Sequence, residues 1–295
     1  MALLPRTRAA ALRFGAPRRA LPAASSLLRA YASVPAPALA QAPDAPPHAQ
    51  ASTPAPASAP VHNFAFSGSG FLIPYHLGVA QGLDEAGLLT PESKVAGASG
   101  GSITALAVAA KEVNVLEIHE EAKRLTALCR NEGTLWKVEA RLRAVFDLKF
   151  KDVDLAPLNE RLTIVTQRVW PDRKIVQWNH FNSIEDVGNV LIASCYIPFY
   201  LATQGVTKIG NELHVDGGLV QLVPEIPGYV KVCAFQASVL RRPDYEISPS
   251  LVPRFPYNIF QLAQASLSPP SEKFLDELFQ LGKQSAFIWA EKQHK

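Results

Sequence analysis

The chain has 295 residues, with 29 lysines and arginines against 26 aspartates and glutamates, which gives a formal net charge of +3. Residues 1–60 hold six of the arginines and a single acid, Asp44, so the remaining residues carry 23 basic and 25 acidic side chains. This near balance excludes a basic nucleic-acid-binding surface on the body of the protein, and three scattered cysteines without a CxxC pair exclude a disulfide framework and a zinc-cysteine site.

Residues 1–31 have the composition of a mitochondrial transit peptide. They are rich in arginine and free of acids, with Leu12 and Phe14 spaced among the arginines, and they lack the apolar run of a secretory signal. The stretch Arg29–Ser33 resembles a processing site with cleavage near Tyr31. We therefore expect a mitochondrial location, in the matrix or at the inner-membrane surface. The alternatives are a plastid targeting signal, a cytoplasmic or lipid-droplet location, and a disordered tail that carries no targeting signal.

Residues 32–60 are dominated by proline and alanine and predict an extended linker. Such a composition buries too little apolar surface to offset the entropy lost when a chain becomes ordered. The folded part is therefore expected to begin near residue 61. We expect one domain over residues 61–240, followed by a helical extension over residues 241–295 that packs on it.

Predicted strands and helices alternate along the folded part. Strands are predicted over residues 61–66, 94–98, 162–169, 174–181, 208–210, 212–215 and 230–236. Helices are predicted over residues 72–85, 101–113, 115–131, 135–150, 184–195, 258–267 and 272–292. This alternation predicts a three-layer α/β fold in which helices flank a central, largely parallel sheet.

A glycine-rich loop, Gly68-Ser69-Gly70, follows the first predicted strand. Glycines let backbone N–H groups approach a ligand closely, which suits a phosphate group or an oxyanion. A dinucleotide-binding fingerprint would need a third glycine, but Ile73 occupies that position, and the next strand ends in Gly97–Ser99 instead of the acid that binds ribose. A nucleotide-binding protein stays open as an alternative to an oxyanion hole.

A second motif, G-x-S-x-G, spans Gly97–Gly101 between a predicted strand and a predicted helix. In that context the spacing is typical of a nucleophile elbow, which exposes the hydroxyl of Ser99 at a helix N-terminus. The positive end of the helix dipole favours negative charge there. The alternative interpretation is a turn whose small residues serve only close packing.

A third motif, Asp216-Gly217-Gly218, follows the strand that ends at Val215. Alone it is typical of a hairpin turn. A hydrolase with a Ser-Asp-His triad of the ordinary α/β type would need a histidine after this acid, and only His294, the penultimate residue, follows it. The chain order therefore favours a serine paired directly with a carboxylate.

Four stretches together resemble the patatin-like phospholipases, and among them the adiponutrin and adipose triglyceride lipase subgroup. They are Phe66–Phe71, Tyr75–Val79, Gly97–Gly101 and Asp216–Gly218, and the resemblance runs over most of residues 62–290. It implies the three-layer patatin-like fold and an acyl hydrolase domain over residues 61–240. It also implies hydrolysis of lipid carboxylic esters, of the triacylglycerol lipase or phospholipase A type.

The resemblance further implies a Ser-Asp dyad, with Ser99 as nucleophile and Asp216 as general base. The oxyanion hole would be formed by backbone N–H groups of Gly68, Ser69, Gly70 and Gly100. The glycines expected to support the motifs are Gly97, Gly101, Gly217 and Gly218. One departure is Ile73, because the family usually has glycine at this position.

We expect no cofactor and no metal ion, because no cluster of carboxylates or histidines has ligand spacing. The expected partner is an acylglycerol or phospholipid at a membrane or lipid-droplet surface, and no nucleic acid. Residues 135–150 are both apolar and basic, which predicts either a cap that inserts Trp136, Phe146 and Phe150 into lipid or a helix packed on the core. A non-catalytic lipid-binding or complex-embedded subunit with the same fold, and a lipid transacylase, stay open.

Overall fold

The structure is a computed structural model that describes residues 61–293. The strands are β1 (Asn63–Phe66), β2 (Val95–Ala98), β3 (Leu162–Trp170), β4 (Lys174–Trp178), β5 (Thr207–Ile209), β6 (Glu212–Asp216) and β7 (Tyr229–Val232). The helices are α1 (Ile73–Glu85), α2 (Gly100–Ala109), α3 (Val115–Glu132), α4 (Val138–Lys149), α5 (Leu155–Arg161), α6 (Ile184–Ser194), α7 (Ala237–Leu240), α8 (Ile259–Leu267) and α9 (Glu272–Gln293). The predicted transit peptide and linker, residues 1–31 and 32–60, lie outside the described residues.

One seven-stranded sheet forms the centre of the described chain. Its parallel part has the order β7-β1-β2-β3, whereas β4 and β6 run antiparallel to β3. The four parallel strands, β7, β1, β2 and β3, are rich in buried valine, phenylalanine and alanine, as expected for parallel strands covered on both faces. The predicted fold class, a central and largely parallel sheet flanked by helices, is confirmed.

Strands β2 and β6 lie end to end along the same edge of β3. Residues 164–165 of β3 pair with β2 on one side and with β4 on the other, and residues 166–168 pair with β4 and with β6. Because β4 pairs with one edge of β3 over residues 164–168, β2 and β6 must both pair with the other edge of β3. Ala98 ends β2 opposite Val165, and Asp216 ends β6 opposite the next residue, Thr166. The residues that follow both strands therefore meet at one point of the sheet.

Helix α9 packs along α1 at very short range. A Cβ atom at Gly78 would lie 1.9 Å from the carbonyl oxygen of Phe279, and one at Gly282 would lie 2.0 Å from the carbonyl oxygen of Tyr75. The Tyr75 hydroxyl donates a hydrogen bond to Ser285 Oγ at 2.8 Å in this buried contact. Glycine is required at both crossing positions because any side chain would collide with the other backbone.

The helix predicted over residues 135–150 is packed on the core for most of its length. Phe146 and Phe150 are buried, with ring centroids 5.8 Å apart, so the idea that they insert into lipid is wrong. Trp136, which precedes α4, is exposed. Amphipathic spacing identified the apolar face of this helix, and the folded protein covers that face itself.

Several classes of feature are missing from residues 61–293. No helix there is long and apolar enough to cross a membrane. No group of three or more histidine, cysteine, aspartate or glutamate side chains in this range could hold a metal ion. The three cysteines, Cys129, Cys195 and Cys233, are unpaired and buried.

Candidate active site

Ser99 lies in a sharp turn between β2 and α2, with backbone angles φ 53° and ψ −131° that non-glycine residues rarely adopt. The turn closes only because its flanks carry no side chains. A Cβ atom at Gly97 would lie 2.2 Å from the carbonyl oxygen of Gly101, and one at Gly101 would lie 2.4 Å from that of Phe66. The geometry is that of a nucleophile elbow, with the serine at the N-terminus of a helix.

Asp216 ends β6 beside this elbow, and its side chain is almost completely buried. Gly218 N–H donates a hydrogen bond to Asp216 Oδ1 at 2.7 Å. Burial raises the pKa of the Asp216 carboxyl from 3.8 to about 7, while the Ser99 hydroxyl and the N–H groups of Gly218 and Leu219 lower it by a smaller amount. The carboxyl group thus titrates near neutral pH while it faces the serine hydroxyl.

The glycines after Asp216 and in the first loop enclose the Ser99 side chain. Cβ positions at Gly68 and Gly218 would each lie 3.6 Å from Ser99 Cβ, and the two glycine backbones are in contact with each other. At Gly217 a Cβ atom would lie 2.6 Å from the carbonyl oxygen of Val165, so β3 also packs tightly against this turn.

The N–H groups of the glycine-rich loop are not all available to an oxyanion. Gly68 N–H donates to the carbonyl oxygen of Leu222 at 2.7 Å, so this member of the predicted oxyanion hole is already occupied. Within residues 61–293, the N–H groups of Ser69, Gly70 and Gly100 donate to no protein acceptor. A Cβ atom at Gly100 would lie 3.2 Å from the Gly70 nitrogen, so these two residues converge beside Ser99.

The C-terminal end of α6 supports both Ser99 and Asp216. Ser194 Oγ accepts a hydrogen bond from Ser99 N–H at 2.9 Å and donates one to the Val165 carbonyl at 2.7 Å. Asp216 N–H donates to the carbonyl oxygen of Tyr196 at 2.9 Å. Ser194 therefore links the residue after β2 to β3 at the point of the sheet where β2 and β6 both end. Sequence reasoning did not assign it this role, because no local pattern identifies such a bridge.

The histidines in the described range that form hydrogen bonds do so away from this pair. His76 Nε2 lies 3.2 Å from Ser67 Oγ, and burial lowers the pKa of His76 to about 3, which keeps the ring neutral. His214 Nδ1 lies 3.0 Å from Thr166 Oγ1, and desolvation lowers its pKa as well. No imidazole between residues 61 and 293 hydrogen-bonds to Ser99 or Asp216, as the chain order predicts.

A cavity of about 110 Å³ opens beside Ser99 and extends between α3, α4 and α6. Its walls are mainly aliphatic and aromatic, and they include Ile103, Leu142, Phe146 and Leu191. Ile73, which follows the glycine-rich loop and begins α1, is also part of the lining. An apolar cavity that begins at a serine hydroxyl fits a hydrocarbon chain attached to a reactive carbonyl carbon.

Comparison with known proteins identifies the family of the chain. The family profile described as patatin-like phospholipase matches residues 64–227, more than half of the chain. The chain is 27% identical over 239 residues to patatin-like phospholipase domain-containing protein 4 of Homo sapiens, a match that covers 75% of this chain and 92% of that protein.

It is also 27% identical over 241 residues to patatin-like phospholipase domain-containing protein 2 of Mus musculus, a match that covers 75% of this chain and 48% of that protein. The chain thus spans about half the length of the latter relative. Among solved structures, VipD from Legionella pneumophila matches with a TM-score of 0.47 and 14% identity, over 80% of this chain and 68% of that one. From the extent of the profile match, the chain belongs to the patatin-like phospholipase family.

Proposed function

We propose that this protein is a lipid acyl hydrolase that cleaves carboxylic esters of glycerolipids with Ser99 as nucleophile and Asp216 as general base. Family membership supports lipase or phospholipase activity. The observation that carries the assignment to these two residues is the buried carboxyl group of Asp216, which faces the Ser99 hydroxyl and has a pKa of about 7. The apolar cavity beside Ser99 supports an acyl chain as the bound group.

The reaction would proceed by two acyl transfers. Ser99 Oγ attacks the ester carbonyl carbon while its proton passes to Asp216, and a tetrahedral oxyanion forms. The free N–H groups of Ser69, Gly70 and Gly100 are the donors available to stabilise that oxyanion, together with the N-terminus of α2. The C–O bond to the alcohol then breaks, and the alcohol leaves with the proton held by Asp216.

The second transfer uses the same groups in reverse. Asp216 accepts a proton from water, the hydroxide attacks the acyl-enzyme, and the fatty acid leaves as the proton returns to Ser99 Oγ. A carboxylate with an ordinary pKa near 3.9 is a weak base for a hydroxyl group. The raised pKa of Asp216 reduces this mismatch, and burial also strengthens the electrostatic contribution of the oxyanion donors.

The first prediction concerns these two residues. Full-length chains carrying Ser99→Ala or Asp216→Asn should release fatty acid from triacylglycerol emulsion or phosphatidylcholine vesicles at rates on the order of 10³-fold below wild type. Ser268→Ala and Asp84→Asn replace exposed residues of the same types and should retain full activity. Circular dichroism would check that each variant folds.

Two outcomes would contradict the assignment. Substantial hydrolysis by folded Ser99→Ala would exclude it as the nucleophile. If the wild-type chain releases no fatty acid from either lipid, the result would favour the non-catalytic lipid-binding subunit. Supplying glycerol or a second lipid as acyl acceptor in the same assay would separate a hydrolase from a transacylase, because the two share the acyl-enzyme and differ only in the acceptor.

We also propose that the protein acts in the mitochondrion. The support is the arginine-rich, acid-free composition of residues 1–31. Isolated mitochondria should import the full-length chain and shorten it near Tyr31, and they should not import a chain that begins at residue 32. Equal import of both chains, or of neither, would contradict the proposal.

A further inference from the structure

Two large aromatic side chains, Trp136 and Phe199, point into solvent from separate loops. Trp136 precedes α4 and is 59% exposed, and Phe199 follows α6 and is 66% exposed. Both have positive φ angles, 63° and 59°, in a region that bulky residues rarely adopt. Such conformations persist only where the surrounding structure enforces them, and they concentrate at functional sites.

Hydrogen bonds fix the two loops to each other. The Trp136 indole Nε1–H donates to the carbonyl oxygen of Phe199 at 2.9 Å, and Trp136 N–H donates to that of Tyr200 at 2.9 Å. The Phe199 ring rests on Gly205, where a Cβ atom would lie 2.8 Å from the ring. Both aromatic rings are therefore held in place by the fold while large parts of their surface remain in water.

Residues close in the chain to both aromatic side chains line the apolar cavity. Val138, two residues after Trp136, lines the cavity, and so do Tyr200 and Leu201, the residues after Phe199.

Two exposed cations close to Trp136 in the chain, Arg130 and Lys137, lack an acidic partner within residues 61–293. Arg130 donates to the carbonyl oxygen of Pro270, and Lys137 Nζ donates to the carbonyl oxygen of Glu132 at 2.6 Å. In contrast, Arg141 is paired with the Glu132 carboxylate at 2.8 Å. Arg130 and Lys137 thus leave positive charge in the segment around Trp136.

We propose that Trp136 and Phe199, together with Arg130 and Lys137, form a docking surface that seats the protein on an anionic lipid surface. This inference rests on the proposed function, because it identifies the face through which a lipid acyl chain would enter. Aromatic rings with a polar edge are suited to the membrane interface, and basic residues near an anionic surface add attraction.

The size of the docking surface favours lipid over a second copy of the chain. Two aromatic side chains with this exposure present on the order of 300 Å². A stable protein dimer needs about 800 Å² from each partner. Insertion into a lipid interface needs no such area, because the bilayer surrounds each ring that enters it.

Quenching by brominated lipid tests whether Trp136 enters the bilayer. The full-length protein would be mixed with phosphatidylcholine vesicles that contain phosphatidylserine, with or without bromine on the acyl chains. We expect brominated vesicles to quench tryptophan fluorescence in the wild type and in Trp170→Phe, which replaces another exposed tryptophan. Trp136→Phe should still bind but lose this quenching; unchanged quenching in Trp136→Phe would overturn the proposal.

A polar double variant, Trp136→Asn with Phe199→Asn, tests the contribution to binding, because asparagine tolerates positive φ angles. Vesicle binding and vesicle hydrolysis should each fall about tenfold or more. Hydrolysis of the soluble ester p-nitrophenyl butyrate should be unchanged, and Trp170→Asn should behave as wild type in all assays.

Wild-type binding by the folded double variant would overturn the docking surface, as would a dimer that the double variant abolishes. If the wild type binds vesicles through Trp136 but hydrolyses neither ester, the docking surface stands and the proposed function fails. If both esters are hydrolysed while the double variant binds normally, the function stands and the docking surface fails.

Discussion

At the scale of single residues, Asp216 shows how the environment alters ordinary chemistry. Burial raises the pKa of its carboxyl from 3.8 to about 7, although the Ser99 hydroxyl and two N–H groups act in the opposite direction. A carboxylate that binds a proton near neutral pH accepts one from serine more readily than an exposed aspartate does. The raised pKa is what the proposed mechanism requires of Asp216, because no imidazole of residues 61–293 stands between the acid and the serine.

The second prediction is a pH profile. The value of kcat/KM for p-nitrophenyl butyrate should rise with pH and become constant above about 7, because only the ionised carboxylate of Asp216 can accept a proton. Below that pKa each pH unit should reduce kcat/KM about tenfold. Initial rates at constant ionic strength would measure the profile, and a midpoint near pH 4 would contradict it.

The third prediction concerns stability at the same residue. The native carboxyl binds its proton more tightly than the unfolded one, so the stability of the folded state falls as pH rises from about 4 through about 7. A shift from 3.8 to about 7 corresponds to about 4 kcal/mol. Asp216→Asn cannot ionise, so its Tm should exceed that of wild type at pH 8 and be similar at pH 4.

Thermal unfolding followed by circular dichroism at both pH values would measure this difference. Asp84→Asn, at an exposed position, is the control and should leave Tm unchanged at either pH. A lower Tm for Asp216→Asn at pH 8 would mean that the ionised carboxylate stabilises the fold.

Sequence could predict some residues of the site better than others. Ser99 and Asp216 are marked by glycines at fixed spacing, because the turns they occupy exclude side chains, although their catalytic roles remain predictions. The hydrogen bond from Gly68 N–H to Leu222 could not be predicted, because it joins segments far apart in the chain. Phe199 belongs to no periodic pattern, so its exposure could not be predicted from the sequence.

At the scale of elements, the strands and the longer helices were predictable because apolar spacing persists over many residues. Two short helices, α5 and α7, were missed. Helix α5 has only seven residues and carries Pro157 in its first turn, so it offers too little periodicity to recognise. The burial of Phe146 shows a further limit: spacing reveals which face is apolar, but not whether protein or lipid covers it.

The fourth prediction concerns α4 and α6 as walls of the cavity. The Phe146 ring lies against Gly188, where a Cβ atom would be 2.8 Å from the ring. Gly188 precedes Ser194 by six residues, or about 9 Å along the helix axis. Phe146→Ala should therefore deepen the cavity and raise kcat/KM for palmitoyl relative to octanoyl esters by about tenfold.

A matched pair of variants would test this wall. Gly188→Ala should push the ring into the cavity and shift the preference toward octanoyl esters. Leu148→Ala, at an exposed position of the same helix, should leave the ratio unchanged. Because Phe146→Ala leaves a void that can cost about 3 kcal/mol, folding must be verified first. An unchanged ratio in both cavity variants would mean that the acyl chain binds elsewhere.

At the scale of the whole molecule, the contact between α1 and α9 joins the two ends of the described chain. Gly282 lies where α9 crosses the backbone of Tyr75, and a Cβ atom there would be 2.0 Å from that carbonyl oxygen. The segment predicted as an extension after residue 240 thus packs directly on the helix that follows the glycine-rich loop. Composition suggested a helical C-terminal region but could not show the glycine contacts that hold it.

The fifth prediction concerns whether a substitution in this contact raises or lowers the free energy of unfolding. Glycine to alanine at an unconstrained helix position usually stabilises a protein by up to about 1 kcal/mol. Gly282→Ala should instead lower the free energy of unfolding by about 2 kcal/mol or more, because the backbones must separate. Gln280→Ala, exposed on the same helix, should have little effect. Thermal unfolding would measure both, and a raised Tm for Gly282→Ala would contradict the contact.

The end-to-end arrangement of β2 and β6 makes the alignment of the proposed nucleophile with the proposed base a discrete quantity. Ser99 directly follows β2 and Asp216 ends β6, and both strands pair with β3, so the register of each strand on β3 sets where the two backbones meet. Strand register changes only in whole residues, and a slip of one residue would turn the Asp216 side chain to the opposite face. The backbone alignment of this pair can therefore change only in steps of a whole residue, and a single step would lose it.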